Sequence, residues 1–278
     1  MMYKILSESK ISYIKWDMNR SITECYSVAL PADRQGEVFH RYILGVYDLY
    51  DRLTTAFPQI LFESCASGGG RFDPGMLYYA PQGWISDDTD AAERVRIQYG
   101  TSMCYPISSM GSHVSVVPNH QLNRITSLHT RANVAYFGTF GYELDLNKLT
   151  DEEIAEVKAQ IIFMKEYREL IQFGNFYRLK SPFDGNETVW MTVSEDKRKA
   201  LVFWYRERNV VNAEFTRVRL QGLDPDLIYK NEYNGTENYG DELMNLGLLT
   251  TDVTAGEPTN EDLPCTDYES RIYVLTAE

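Results

Sequence analysis

Residues 12–19 read SYIKWDMN, and their alternation sets the frame for the rest of the chain. Tyr13, Lys15, Asp17 and Asn19 fall on one face at period two, while Ile14, Trp16 and Met18 fall on the other. The pattern is that of a strand with one side on an apolar core and a lysine, an aspartate and an amide on the other. On either side of it, strand-like stretches take turns with helical periodicity. ILFESC (60–65), GWISDD (83–88) and HVSVVPN (113–119) are the further strands, and ANVAYFGTF (132–140) ends the series. Helical patterns fill 37–57, 90–105, 122–136 and 151–173. Repeated strand–helix units imply parallel strands, so the first part of the chain is an α/β domain of the (β/α) barrel kind, spanning 1–174. After Gly174 the helical period gives way to alternating stretches such as TVWMTVS, KALVFWYRE, TRVRLQGL and RIYVLTAE, separated by turn-rich FDGNE and LDPDL. That change predicts a second domain over 175–278, an all-β antiparallel β-sandwich.

Length and composition narrow the function classes. With 278 residues and 44% hydrophobic side chains, the chain has enough apolar material for two cores. Its formal charge of -13 opposes nucleic acid and anionic membrane surfaces, and favours neutral or cationic ligands. No apolar run reaches membrane-spanning length, and the opening MMYKILSESK lacks the apolar core of a signal peptide, so the expected location is cytoplasmic. Cys25, Cys65, Cys104 and Cys265 lie far apart without metal-type spacing, which points to free thiols.

In a βα barrel, functional residues collect at the carboxyl ends of the strands. The unusual polar residues of this chain cluster there: Lys15, Asp17 and Asn19 after the first strand, ESCASGGGR (63–71) after the second, and Asp87, Asp88 and Asp90 after the third. Asn119 and His120 follow the fourth. An isolated Asp17 reads best as a turn or cap residue. Lys15, two residues earlier on the same face, changes that reading, because a neighbouring cation keeps the carboxylate ionised and suits it to attack. Asp90, with Glu93 three residues on, is an N-cap. Asp87 and Asp88 point to opposite faces, and periodicity does not choose between them. Gly68-Gly69-Gly70 lacks the lysine of a phosphate loop and reads as a tight turn that admits a ligand closely. His113 and His120 are too isolated to mark a metal site. Two carboxylates on separate strand ends, one beside a lysine, fit retaining glycoside hydrolysis. The residues alone do not name the sugar.

YIKWDMNR, SCASGGGRFDPGMLYYAPQGWISDDTDA and GSHVSVVPNHQ together resemble the bacterial α-galactosidases of glycoside hydrolase family thirty-six. The resemblance continues into GLDPDLIYKNEYNG and GDELMNLGL, and so covers nearly the whole chain. It implies that Asp17 is the nucleophile, that Asp87, the first aspartate of SDDTD, is the acid/base, and that Lys15 and Asn19 contact galactose. It also implies that the Cys-x-x-Gly element, Cys65 through Ser67 to Gly68, lies against the 2-position of the sugar. No cofactor is implied. The expected substrates are α-galactoside oligosaccharides of the melibiose and raffinose type, with a homo-oligomer expected of the full-length protein. Family members are much longer, so the same resemblance makes this chain the second half of a (β/α)8 TIM barrel with its C-terminal sandwich, a fragment expected to be inactive alone. Two other readings stand beside hydrolysis: transglycosylation of the raffinose-synthase type, and a non-catalytic galactoside-binding module.

Overall fold

The computed structural model describes residues 1–19, 22–210, 215–250 and 267–277. They form two compact units, residues 1–87 with 109–111, and residues 88–108 with 112–277. Cys265 lies outside the described residues, and Cys25, Cys65 and Cys104 are free thiols. Among the described residues no helix is long and apolar enough to cross a membrane.

In the first unit, α1 (Met2–Glu8) leads into β1 (Tyr13–Trp16), and α2 (Val38–Ala56) connects β1 to β2 (Leu61–Ser64). After the short α3 (Pro74–Tyr79) comes β3 (Gln82–Trp84), followed by the start of β4 (Met110–Ser115). β1, β2, β3 and β4 are neighbours in that order and parallel, as the strand–helix alternation requires. Ile14 and Trp16 pack against a core of Tyr50, Leu53, Phe57, Phe62 and Met76, so the apolar face of β1 is the one its alternation predicts. The Trp16 and Tyr50 rings lie 4.6 Å apart between centroids. On α2 the buried Val46, Tyr50 and Leu53 recur at helical spacing, which explains why this segment is a helix lying on the sheet.

In the second unit, α4 (Ala91–Ser102), the remainder of β4, α5 (Leu128–Ala135), β5 (Thr139–Glu143) and α6 (Asp151–Phe173) precede an antiparallel region. α6 starts at a capping box in which the Thr150 hydroxyl accepts from the Glu153 N–H while the Glu153 carboxylate accepts from the Thr150 N–H. The antiparallel strands are β6 (Asn175–Lys180), β7 (Glu187–Val193), β8 (Lys199–Arg206), β9 (Arg217–Val218), β10 (Ile228–Asn231), β11 (Glu237–Tyr239), β12 (Leu248–Leu249) and β13 (Glu269–Ala277), with α7 (Gly240–Asn245) before β12. Six of them form one sheet in the order β11-β10-β13-β8-β7-β6, and β12 pairs with β9 as a separate ribbon. Val189, Met191, Val202, Trp204, Tyr273 and Leu275 share a core with Val218 and Leu248 of that ribbon. On its other face the sheet carries Trp190 and Phe203, stacked at 4.4 Å, with Phe137 5.8 Å from each. β8 is buried on both faces, which is why ALVFWY reads as an apolar run rather than a clean alternation.

Several element boundaries differ from expectation, among them the fourth strand, which runs over Met110–Ser115 rather than 113–119. The helix expected over 122–136 starts at Leu128, because the Ser127 hydroxyl caps it by accepting from the Thr130 N–H at 3.0 Å. Upstream, the Asn119 side-chain Oδ1 accepts from the Gln121 and Leu122 N–H groups and forms a turn. The strand expected over 132–140 begins only at Thr139, since Ala132 still accepts the helical bond from the Tyr136 N–H. The third strand stops at Trp84 rather than running through Asp88, and the loop after β2 lies against the backbone where it would have continued.

Candidate active site

All seven residues that the sequence nominated lie in the first unit, at the carboxyl ends of β1, β2 and β3. Asp17 is the first residue past β1 and is exposed. The parallel ladder continues around it, with the Cys65 N–H donating to the Trp16 carbonyl at 3.1 Å and the Met18 N–H to the Cys65 carbonyl at 3.1 Å. Its carboxylate is held from the side: the Asn19 amide donates to Asp17 Oδ2 at 2.8 Å. The Asn19 carbonyl oxygen in turn accepts from the Ser67 N–H at 2.9 Å and the Ser67 hydroxyl at 3.3 Å. Asn19 thus ties the end of β1 to the loop after β2.

Partial burial acts to raise the Asp17 pKa, but hydrogen bonds from the Cys65 thiol, the Asn19 amide and the Met18 N–H, followed by the charge of Lys15, outweigh it. The carboxyl titrates below the ordinary aspartate value. This reorders the sequence reading, in which Lys15 alone kept Asp17 charged; the hydrogen bonds come first and the lysine last. The same contacts act in reverse on Cys65, whose thiol is pushed up to about 11, first by burial and then by donating to Asp17. A thiol so raised is a hydrogen-bond donor and not a nucleophile.

The loop after β2 is fixed by its backbone. Ser67 and Gly68 have φ of 48° and 76°, and a Cβ on Gly68 would lie 2.7 Å from Ser86 Cα and 2.9 Å from the Asp87 nitrogen. Only glycine tolerates both the left-handed conformation and that approach. The Gly68 contact sets the loop that holds Asn19 and Cys65 directly against the segment that carries Asp87. Beneath it, the buried Arg71 guanidinium donates to the Cys65 carbonyl at 2.7 Å and to the Trp16 carbonyl at 3.2 Å, clamping the two strand ends together.

Asp87 and Asp88 have different surroundings. Asp87 is exposed and, among the described residues, makes no hydrogen bond or ion pair. Asp88 belongs to the second unit, where it accepts from the Asp90 N–H at 3.0 Å and faces the charge of the buried Arg94. Asp90 caps α4 by accepting from the Ala92 and Glu93 N–H groups at 3.0 and 3.1 Å, and it also pairs with Arg124. Asn119 is buried and donates to the Thr89 hydroxyl at 3.1 Å, which makes it a turn former in the second unit.

Sequence reasoning missed how the polar face extends sideways. Lys15 is register partner to Glu63, and Glu63 to Gln82, so a polar row crosses β1, β2 and β3. Trp84 lies beneath the Lys15 ammonium, 4.4 Å from its ring centroid. Pairing register between distant segments has no signature in one sequence, and Glu63 appeared there only as the head of a polar stretch.

Known proteins are similar to this chain along most of its length. Residues 1–174 match the Melibiase family model, and residues 187–275 match the glycosyl hydrolase family 36 C-terminal domain. Alpha-galactosidase AgaA of Geobacillus stearothermophilus is 56% identical over 244 residues, 88% of this chain and 33% of that protein. Alpha-galactosidase Mel36A of Lactobacillus acidophilus is 53% identical over 247 residues, 89% of this chain and 34% of that protein. The crystal structure of AgaA superposes with a TM-score of 0.91 at 51% identity, covering 100% of this chain and 37% of that one. The chain therefore spans about a third of the length of the curated relatives it matches. With its parallel strands matched by one family model and its antiparallel sheet by the companion C-terminal model, this chain belongs to the Melibiase family of glycoside hydrolases.

Proposed function

We propose that this chain carries the two catalytic carboxylates of a retaining α-galactosidase and works as part of a polypeptide as long as its relatives. The observation that supports this most strongly is the pair of contrasting carboxylates in the first unit: Asp17 held ionised by three hydrogen-bond donors, and Asp87 exposed, with no ion pair among the described residues, on a backbone segment that Gly68 fixes. In the first step Asp17 attacks the anomeric carbon while Asp87 gives its proton to the glycosidic oxygen, so the carbon–oxygen bond to the leaving sugar breaks as the bond to Asp17 forms. In the second step Asp87, now ionised, takes a proton from water. The water oxygen bonds to the anomeric carbon and Asp17 leaves as carboxylate. Lys15 and Asn19 grip galactose hydroxyls, and Cys65, Ser67 and Gly68 form the wall against the 2-position.

Crystal structures of AgaA variants with raffinose and with stachyose support α-galactoside oligosaccharides as the substrates. We read the parallel strands as the second half of a (β/α)8 barrel, and the six-stranded sheet with its ribbon as the C-terminal sandwich. The break between the two family models, from 174 to 187, supports a boundary near 175. The three described cysteines are free thiols, as expected of a chain kept in the reducing cytoplasm.

The test places these residues behind the part of Geobacillus AgaA that precedes the matched region, and assays aryl α-galactosides. Asp17→Ala should lower turnover by a factor of roughly 10⁴ or more on every substrate, because no glycosyl-enzyme forms. Asp87→Ala should retain glycosylation by activated aryl leaving groups, and azide, attacking the β-linked glycosyl-enzyme, should restore turnover as an α-galactosyl azide. Equal loss for both variants on all substrates, without azide rescue, would contradict the assignment.

A further inference from the structure

Lys15 stands on β1 and its side chain is 37% exposed. A lysine in that setting ordinarily samples many rotamers and contributes no fixed contact. Here its ammonium is held on two sides. It lies 4.4 Å over the Trp84 ring, and 3.7 Å from Glu63 Oε1.

Glu63 is unusual in its own right. Its side chain is 2% exposed, a degree of burial that carboxylates rarely accept without partners. The Tyr13 hydroxyl and the Gln82 amide, the latter at 3.2 Å, both donate to Oε2. Oε1 receives no hydrogen bond and meets Lys15 instead. The carboxylate is therefore oriented: two neutral donors fix one oxygen, and the other is left facing the ammonium. Tyr13 is held protonated by partial burial and then by that same bond, which keeps it a donor. The Trp84 indole is itself buried, and Gly111 makes room for it, since a Cβ there would come within 2.8 Å of the ring.

Resting on the functional reading above, we propose that Glu63 is a positioning residue for the reaction: through the ion pair it fixes the Lys15 ammonium over Trp84, so that the ammonium protons are presented to a galactose hydroxyl in one orientation. The energetic logic is preorganisation. A lysine ordered before substrate arrives loses no rotamer freedom on binding, and an ammonium between a buried carboxylate and a π face is attracted to both.

The first arm of the test uses this chain as it is. Lys15 acylation by a small activated ester, followed by mass spectrometry, should be about fivefold or more slower than that of Lys148, because the Lys15 ammonium is enclosed between the Trp84 ring and the Glu63 carboxylate, whereas Lys148 is 80% exposed beside Asp145. Glu63→Gln, with circular dichroism confirming the fold, should bring Lys15 to within about twofold of Lys148. An unchanged Lys15 rate in that variant would overturn the proposal. If Glu63→Gln does not fold, the native chain still decides, since Lys15 reacting as fast as Lys148 would contradict a held ammonium. The second arm uses the AgaA chimera. Glu63→Gln should raise KM roughly tenfold with a smaller change in kcat, and should add less than about twofold in a Lys15→Met background, because the two residues act through one contact. Multiplicative effects would mean that Glu63 acts structurally and not through Lys15. If the unmodified chimera were inactive on α-galactosides, the functional reading would fall while the labelling arm still decided the role of Glu63.

Discussion

Asp17 is an exposed carboxylate that stays charged because donors from three other residues converge on it, and the acid side of the pH–rate profile should show this. Its folded pKa lies below the ordinary aspartate value, so activity in the chimera should persist into the acid range and fall only as pH drops through that lowered value. Cys65→Ala removes the donor that lowers it most, and should move the acidic inflection of kcat/KM upward, toward the ordinary carboxylate range. An inflection that stays in place, or moves to lower pH, would mean that the thiol does not support the charge. Much at this scale was legible in the sequence: Lys15, Asp17 and Asn19 share a face because alternation places them there. The order of importance was not, since the leading donor comes from Cys65 on a different strand, and the Lys15–Glu63 pairing depends on register between segments far apart in the chain.

At the scale of elements, the loop after β2 is the joint between the two proposed catalytic residues, and Gly68 is its tightest point. Gly68→Ala must adopt φ near 76° and place a Cβ 2.7 Å from Ser86 Cα, where backbone cannot retreat as a side chain would. The left-handed conformation alone costs about 1–2 kcal/mol, so denaturant unfolding should show at least that loss of stability. In the chimera kcat/KM should fall further than the loss of folded protein explains, because the loop sets the Asp87 backbone. Unaltered stability and activity together would show that the loop is not held as described. The sequence marked this glycine run as a turn. It did not reveal the contact with Ser86 and Asp87, because the third strand was read as running through Asp88, whereas it stops at Trp84. The proposed choice of Asp87 over Asp88, open on periodicity, is supported by their surroundings: one is exposed, and the other is engaged by the Asp90 N–H and Arg94.

Over the whole molecule, the change from helical to alternating periodicity near residue 175 coincides with the break between the two family models, yet the compact units divide elsewhere. The reason is packing within the second unit. The Thr130 hydroxyl donates to the Tyr268 carbonyl at 2.9 Å, the Asn133 amide to the Ser270 hydroxyl at 3.0 Å, and the Arg178 guanidinium to the Ser102 carbonyl at 3.0 Å. These bonds, with Phe137 against Trp190 and Phe203, join the later helices to the antiparallel sheet. Sequence periodicity reports element type and is silent on such docking. In the proposed function, Asp17 becomes covalently bonded to galactose during turnover. This is tested most directly by treating the AgaA chimera with a galactose-configured, fluorine-substituted aryl α-glycoside, whose glycosyl-enzyme forms faster than it hydrolyses, and mapping the added mass on peptides. The label should sit on Asp17 and be lost in Asp17→Ala. A chimera that turns over α-galactosides but carries the label on another residue, or none, would contradict the claim.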